Sequence, residues 1–162
     1  MNFMESVTTC FQKYFVFSGR ARRSEYWWWV LFSIIGSIVF SVVDLIVFGG
    51  LAAQGISPLN LVFSLVTVIP TFAVATRRLH DIGKSGWFQF LPALAAPIMI
   101  IGFALQFSGG LSAMGAIITI IGVLAILGLA ILLIVWYATD GHRTDNRYGY
   151  SPKYGGQVDA FD

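Results

Sequence analysis

Four stretches of this chain are apolar for about as long as a helix needs to cross a bilayer, which is roughly 20 residues. They lie at about 27–48, 58–76, 87–107 and 115–137. Of the 162 residues, 57% are hydrophobic and 11% are charged. A soluble domain carries about 25% charged residues. The expected fold class is therefore an all-α integral membrane protein with four transmembrane helices. One membrane domain should cover residues 1–154, with a loose tail at 155–162. The first residues lack the basic start and apolar core of a secretory signal.

The placement of charge predicts the orientation. The ten Lys and Arg residues form three groups. Lys13, Arg20, Arg22 and Arg23 precede the first span. Arg77, Arg78 and Lys84 lie between the second and third. Arg143, Arg147 and Lys153 follow the fourth. The other two connections carry none. Loops rich in Lys and Arg stay cytoplasmic, so both termini and the central loop should be cytoplasmic. Trp27, Trp28, Trp29, Trp87 and Trp136 cluster at the same side, where aromatic rings suit the headgroup level. Upstream, Phe3, Val7, Cys10, Phe11 and Tyr14 recur at helical spacing. This predicts an amphipathic helix over about 2–17, lying in the cytoplasmic interface. Cys10 is the one cysteine, so no intrachain disulfide is expected.

Several features inside the spans invite a functional reading. Pro70, Pro92 and Pro97 interrupt the second and third spans, each removing a backbone donor. Gly36, Gly115, Gly122 and Gly128 allow close helix approach in a packed bundle. Asp44 is the one intramembrane acid, with no cation on its side to pair with. An acid so placed is a candidate for handling ions.

The segment Arg77–Phe88, RRLHDIGKSGWF, is the long polar interruption between apolar runs. Its Gly83-Lys84-Ser85 resembles the end of a phosphate loop. That loop needs a leading glycine five residues before the Gly-Lys pair, and Arg78 stands there. His80 and His142 each neighbour acids, but neither shows metal-ligand spacing. No metal, cofactor or nucleic-acid partner is expected. Arg77 and Arg78 both lie within helical reach of Asp81. Gly83 should end the helix in a left-handed conformation.

Arg20, Arg23 and Glu25 upstream, and Asn146, Arg147 and Tyr148 downstream, should meet this segment at one membrane face. The expected network is Arg20, Arg23, Glu25, Arg77, Arg78, His80, Asp81, Lys84, Asn146 and Arg147. Trp27, Trp87 and Tyr148 would frame it. It can fix the helix ends through charged hydrogen bonds. It can also hold anionic lipid headgroups or an acidic partner through surplus cations.

These residues carry a family resemblance. Gly19-Arg20-Ala21-Arg22-Arg23-Ser24-Glu25-Tyr26-Trp27, then Arg77 to Trp87, then Asn146-Arg147-Tyr148-Gly149, resemble the marks of the bacterial family called domain of unknown function 805. The likeness spans about residues 11–152. Tyr150 departs from the proline common in that family. The resemblance implies a small multi-pass inner-membrane protein and brings no activity with it. The leading expectation is a non-enzymatic membrane protein organised by the polar network. A small transporter or channel, with a homo-oligomer as one form, stands second, using the prolines and Asp44. A membrane-embedded enzyme using His80 and His142 stands third.

Overall fold

Five α-helices account for most of the chain in a computed structural model that describes residues 1–49, 54–107 and 111–154. Helix α1 is Phe3–Gln12, α2 is Arg23–Val47 and α3 is Pro58–Asp81. A short 3-10 turn, Gly86–Phe90, leads into α4, Leu91–Leu105, and α5 is Ser112–Ala138. The four spans predicted from the sequence match α2, α3, the 3-10 turn with α4, and α5. All four are long and apolar enough to cross a membrane. No β-strand occurs among the described residues. The tail expected to be loose, 155–162, lies outside them.

Two helix starts have a visible cause. Asn2 caps α1 in a reciprocal box: its side chain accepts from the Glu5 N–H (2.8 Å), and the Asn2 N–H donates to Glu5 (3.0 Å). The helix ends at Gln12 rather than near 17. Pro58 opens α3, where its missing N–H costs nothing. Asp44 then takes the role that Ser57 leaves vacant. Its two carboxylate oxygens accept from the N–H groups of Leu59 (3.0 Å) and Asn60 (2.9 Å). A fully buried carboxylate at a helix N-terminus meets both free donors and a favourable dipole. The acid that has no cationic partner in sequence is thus a cap supplied by the neighbouring helix.

The helices pack as two hairpins, α2–α3 and α4–α5. Close approach in the second depends on glycine: a Cβ at Gly102 would stand 2.4 Å from the Thr119 nitrogen, and one at Gly122 would stand 2.6 Å from the Met99 nitrogen. A Cβ at Gly128 would meet nothing within 4 Å, so this glycine serves no such approach. The single packed four-helix bundle expected from the sequence is not what forms. The hairpins meet mainly at the arginine-rich end, where Ala75, Leu79 and Ile82 bury against Leu133 and Tyr137. A second small core joins Cys10, Ala21, Trp29 and Val74. Trp29 is fully buried, not an interfacial anchor, and donates to Thr71 Oγ1 (2.9 Å). Helix α3 carries one face of each core and is the central element.

The prolines play unequal parts. Pro92 falls in the first turn of α4 and interrupts nothing, because no intrahelical donor is needed there. Pro70 sits inside α3 and cannot bond the carbonyl of Val66. Tyr14 reaches across from the segment after α1, and its hydroxyl donates to that carbonyl (2.7 Å). Tyr14→Phe should therefore lower stability by about 1 kcal/mol. In a Pro70→Ala background, where the helix can satisfy Val66 itself, the same change should cost far less. A double-mutant cycle of unfolding in detergent measures the coupling.

Candidate functional site

The last turn of α3 builds the site. Gly83, at φ +73°, closes the helix: the Lys84 N–H donates to the Leu79 carbonyl (2.9 Å), and the Gly83 N–H donates to that of His80 (3.0 Å). This termination leaves Asp81 on the last helical turn, almost wholly buried. Two arginines share its carboxylate. Arg20 Nε donates to Oδ1 (2.9 Å), and Arg78 Nη1 donates to Oδ2 (2.5 Å).

Both guanidinium groups then reach into the chain after α5. Arg78 donates through Nε to the Tyr137 carbonyl (3.0 Å) and through Nη2 to that of Thr139. These lie at the α5 C-terminus, where the helix dipole favours a cation. Arg20 donates to the carbonyls of His142 (2.5 Å), Thr144 (2.9 Å) and Gly149 (3.2 Å). The His142 N–H returns a bond to the Asp81 carbonyl (2.9 Å). The chain can pass this close only because residue 141 is glycine, since a Cβ there would lie 1.9 Å from Asp81 Oδ2. Residues far apart in the chain, Arg20, Arg78, Asp81 and 137–149, thus form one buried lock.

Arg77 does not join it. Successive helical residues point about 100° apart, so Arg78 faces α5 while Arg77 faces α1 and α2. Arg77 Nη1 donates to Glu25 (2.5 Å), and both side chains are buried. Among the described residues, its Nε and Nη2 find no hydrogen-bond acceptor within bonding geometry. Cys10 borders this pair. Burial pushes its thiol up from the ordinary 9.0 to about 12; the charge of Glu25 adds to the rise, and Arg77 opposes it.

The remaining predicted residues take separate places. His80 Nδ1 lies 3.1 Å from the Gly19 carbonyl, and its ring stacks on Tyr148 at 3.8 Å and 2°. Asn146 Nδ2 donates to the His80 carbonyl (2.9 Å), while Arg147 lies over the Tyr148 ring at 4.8 Å. Lys84 lies over Trp136 at 4.1 Å, a cation–π contact between the central loop and α5. Arg23 pairs with Asp140 (2.6 Å) at the surface. Trp87 and Tyr148 border one groove, whereas Trp27 is exposed on α2 and borders neither main cavity. His142 packs near Gly83 rather than beside His80. Sequence reasoning missed the carbonyls of 137–149, Gly141, Cys10 and Tyr14. Of these, the Asp140-Gly141 turn dipeptide was the one with a local signal.

A buried charged lock at one end of four bilayer-length helices defines a small multi-pass membrane protein. The chain belongs to the family described as Protein of unknown function (DUF805), which matches residues 14–150. It is similar to the inner membrane protein YhaI of Escherichia coli (strain K12), 33% identical over 152 residues, which cover 94% of this chain and 98% of that protein. The inner membrane protein YhaH of the same strain is 30% identical, over 88% of this chain and 91% of that one. The uncharacterized protein YiiR is 29% identical, over 83% and 84%. No solved structure matches the chain.

Two predictions follow from this geometry. Asp81→Asn removes the charge shared by two buried arginines and should cost about 3–5 kcal/mol. Arg23→Ala breaks an exposed pair and should cost below about 1 kcal/mol. Thermal unfolding in detergent compares them. Cys10 should resist maleimide in the folded protein and react fully in sodium dodecyl sulfate. Because its folded pKa is raised, the stability it contributes is complete below about pH 9 and is lost as pH rises towards 12. Cys10→Ala should flatten that alkaline decline.

Proposed function

We propose that this is a non-catalytic protein of the bacterial inner membrane, with both termini cytoplasmic. Its buried lock joins the two hairpins, and its exposed cations hold anionic lipid headgroups. The supporting observation is a division among the ten cations. Arg20, Arg77 and Arg78 are buried and engaged with carboxylates or carbonyls. Lys13, Arg22, Arg23, Arg143, Arg147 and Lys153 are exposed at the same end, and the tenth, Lys84, is half-buried over Trp136. Arg22, Arg23 and Lys153 ring a polar cavity of about 330 Å³, which His142 also lines. Arg23 is offset by Asp140, and Arg22 already donates to the Pro152 carbonyl (2.6 Å). Lys153 and the outer faces of these arginines meet the headgroup layer, where each cation contributes about 1 kcal/mol.

The inner-membrane placement rests on the E. coli relatives, and the orientation on the clustering of every cation at one end. Helix α1 fits the interfacial role. Met4 on the helix, and Phe15 and Phe17 in the segment after it, expose apolar side chains suited to the boundary between headgroups and chains.

Native mass spectrometry in mild detergent tests the reading. The protein should retain phosphatidylglycerol over phosphatidylcholine, with a preference that weakens as salt rises. Arg22→Gln with Lys153→Gln should lower that preference about fivefold per cation. Equal retention of the two lipids, or a preference untouched by salt and by the double variant, overturns it.

A further inference from the structure

A second cavity, of about 540 Å³, opens between α3 and the 3-10 turn. Gly86 lets the turn lie against α3, since a Cβ there would come 2.4 Å from Thr76 Cγ2. One part of the cavity wall is apolar, formed by Phe17, Ile69, Phe72 and Phe90. The other part carries Thr76, His80 and Gln89. The stretch of α3 from Ile69 to His80 spans about 17 Å at 1.5 Å per residue, with its apolar part at Ile69 and Phe72 and its polar part at Thr76 and His80.

The polar end has a definite chemistry. Gln89 Nε2 donates to Thr76 Oγ1 (3.0 Å), while its buried Oε1 has no donor. A buried carbonyl without a partner is costly and calls for one. His80 Nδ1 faces the Gly19 carbonyl, which can only accept, so in the neutral ring that nitrogen holds the proton and Nε2 is an acceptor. Among the described residues, no Lys, Arg, Asp or Glu lines the groove. It therefore offers acceptors and no fixed charge, unlike the cationic cavity beside Arg22.

We propose that this groove holds the chain of one membrane phospholipid with an ammonium headgroup, of the phosphatidylethanolamine type, which donates to the Gln89 and His80 acceptors. The chain lies along Ile69 and Phe72, and the head points to the arginine-rich end, as in the surrounding leaflet. The proposal needs the membrane setting of the preceding section but not its cationic headgroup site.

Native mass spectrometry with two lipids of identical chains separates the ideas. Phosphatidylethanolamine and phosphatidylcholine are both zwitterionic, and only the first donates N–H bonds. Wild type should retain the ethanolamine lipid about fivefold better, the worth of about one hydrogen bond. Gln89→Leu should lower the ratio towards one, Gln89→Glu should keep the preference, and Ile69→Trp should fill the groove and lower retention of both. Arg22→Gln with Lys153→Gln should leave this ratio alone, so failure of the cationic site reads separately. Equal retention of the two lipids by the wild type overturns the proposal, as does a Gln89→Leu protein that keeps the ratio. If Gln89→Leu does not fold, Gln89→Glu and Ile69→Trp carry the test: loss of preference in the first, or undiminished retention in the second, is decisive against it.

Discussion

One carboxylate with two guanidinium groups on it holds this structure together. Removing an ion from water is expensive, and a buried pair recovers that cost only when the remaining donors are also met. At Asp81 they are. Arg20 and Arg78 turn their free N–H groups to the carbonyls of the chain after α5. Those carbonyls have lost their helical partners or never had any, so the two unmet needs cancel. The result is a polar joint in a molecule whose apolar cores are small and lie at the same end.

The two ends of the protein solve one problem with opposite charges. At the arginine-rich end, guanidinium groups meet the carbonyls at the end of α5. At the opposite end, the Asp44 carboxylate meets the free amides that open α3. Each ion sits where the helix dipole favours its sign. The outer face of α3 follows the same logic with neutral groups, as Tyr14 supplies the donor that Pro70 withholds.

The spans and the stop at Gly83 were legible because they follow from local rules of length, periodicity and backbone conformation. The pairing of Arg78 with Asp81 was legible for the same reason, three residues being nearly one helical turn. The choice between Arg77 and Arg78 was not. It depends on which neighbour each face of α3 meets, and nothing local reveals that. Trp29 looked like its two aromatic neighbours and became core because α2 turns that face to α3. Asp44 looked unpartnered because its partners are backbone amides, which every residue but proline has and no side-chain pattern marks. The lock's carbonyls were hidden likewise. The candidate site was therefore readable as a set of charges meeting at one place, but not as a division between buried and exposed ones.

The lock also bears on how the molecule is made. Its carbonyls belong to residues 137–149, which the ribosome makes after Arg20, Arg78 and Asp81. Arg20 and Arg78 precede that segment in the chain, so they can meet Asp81 before they have most of their other acceptors. Hydrophobicity suits each helix to the bilayer by itself, whereas the lock that joins the hairpins can close only once residues 137–149 are present.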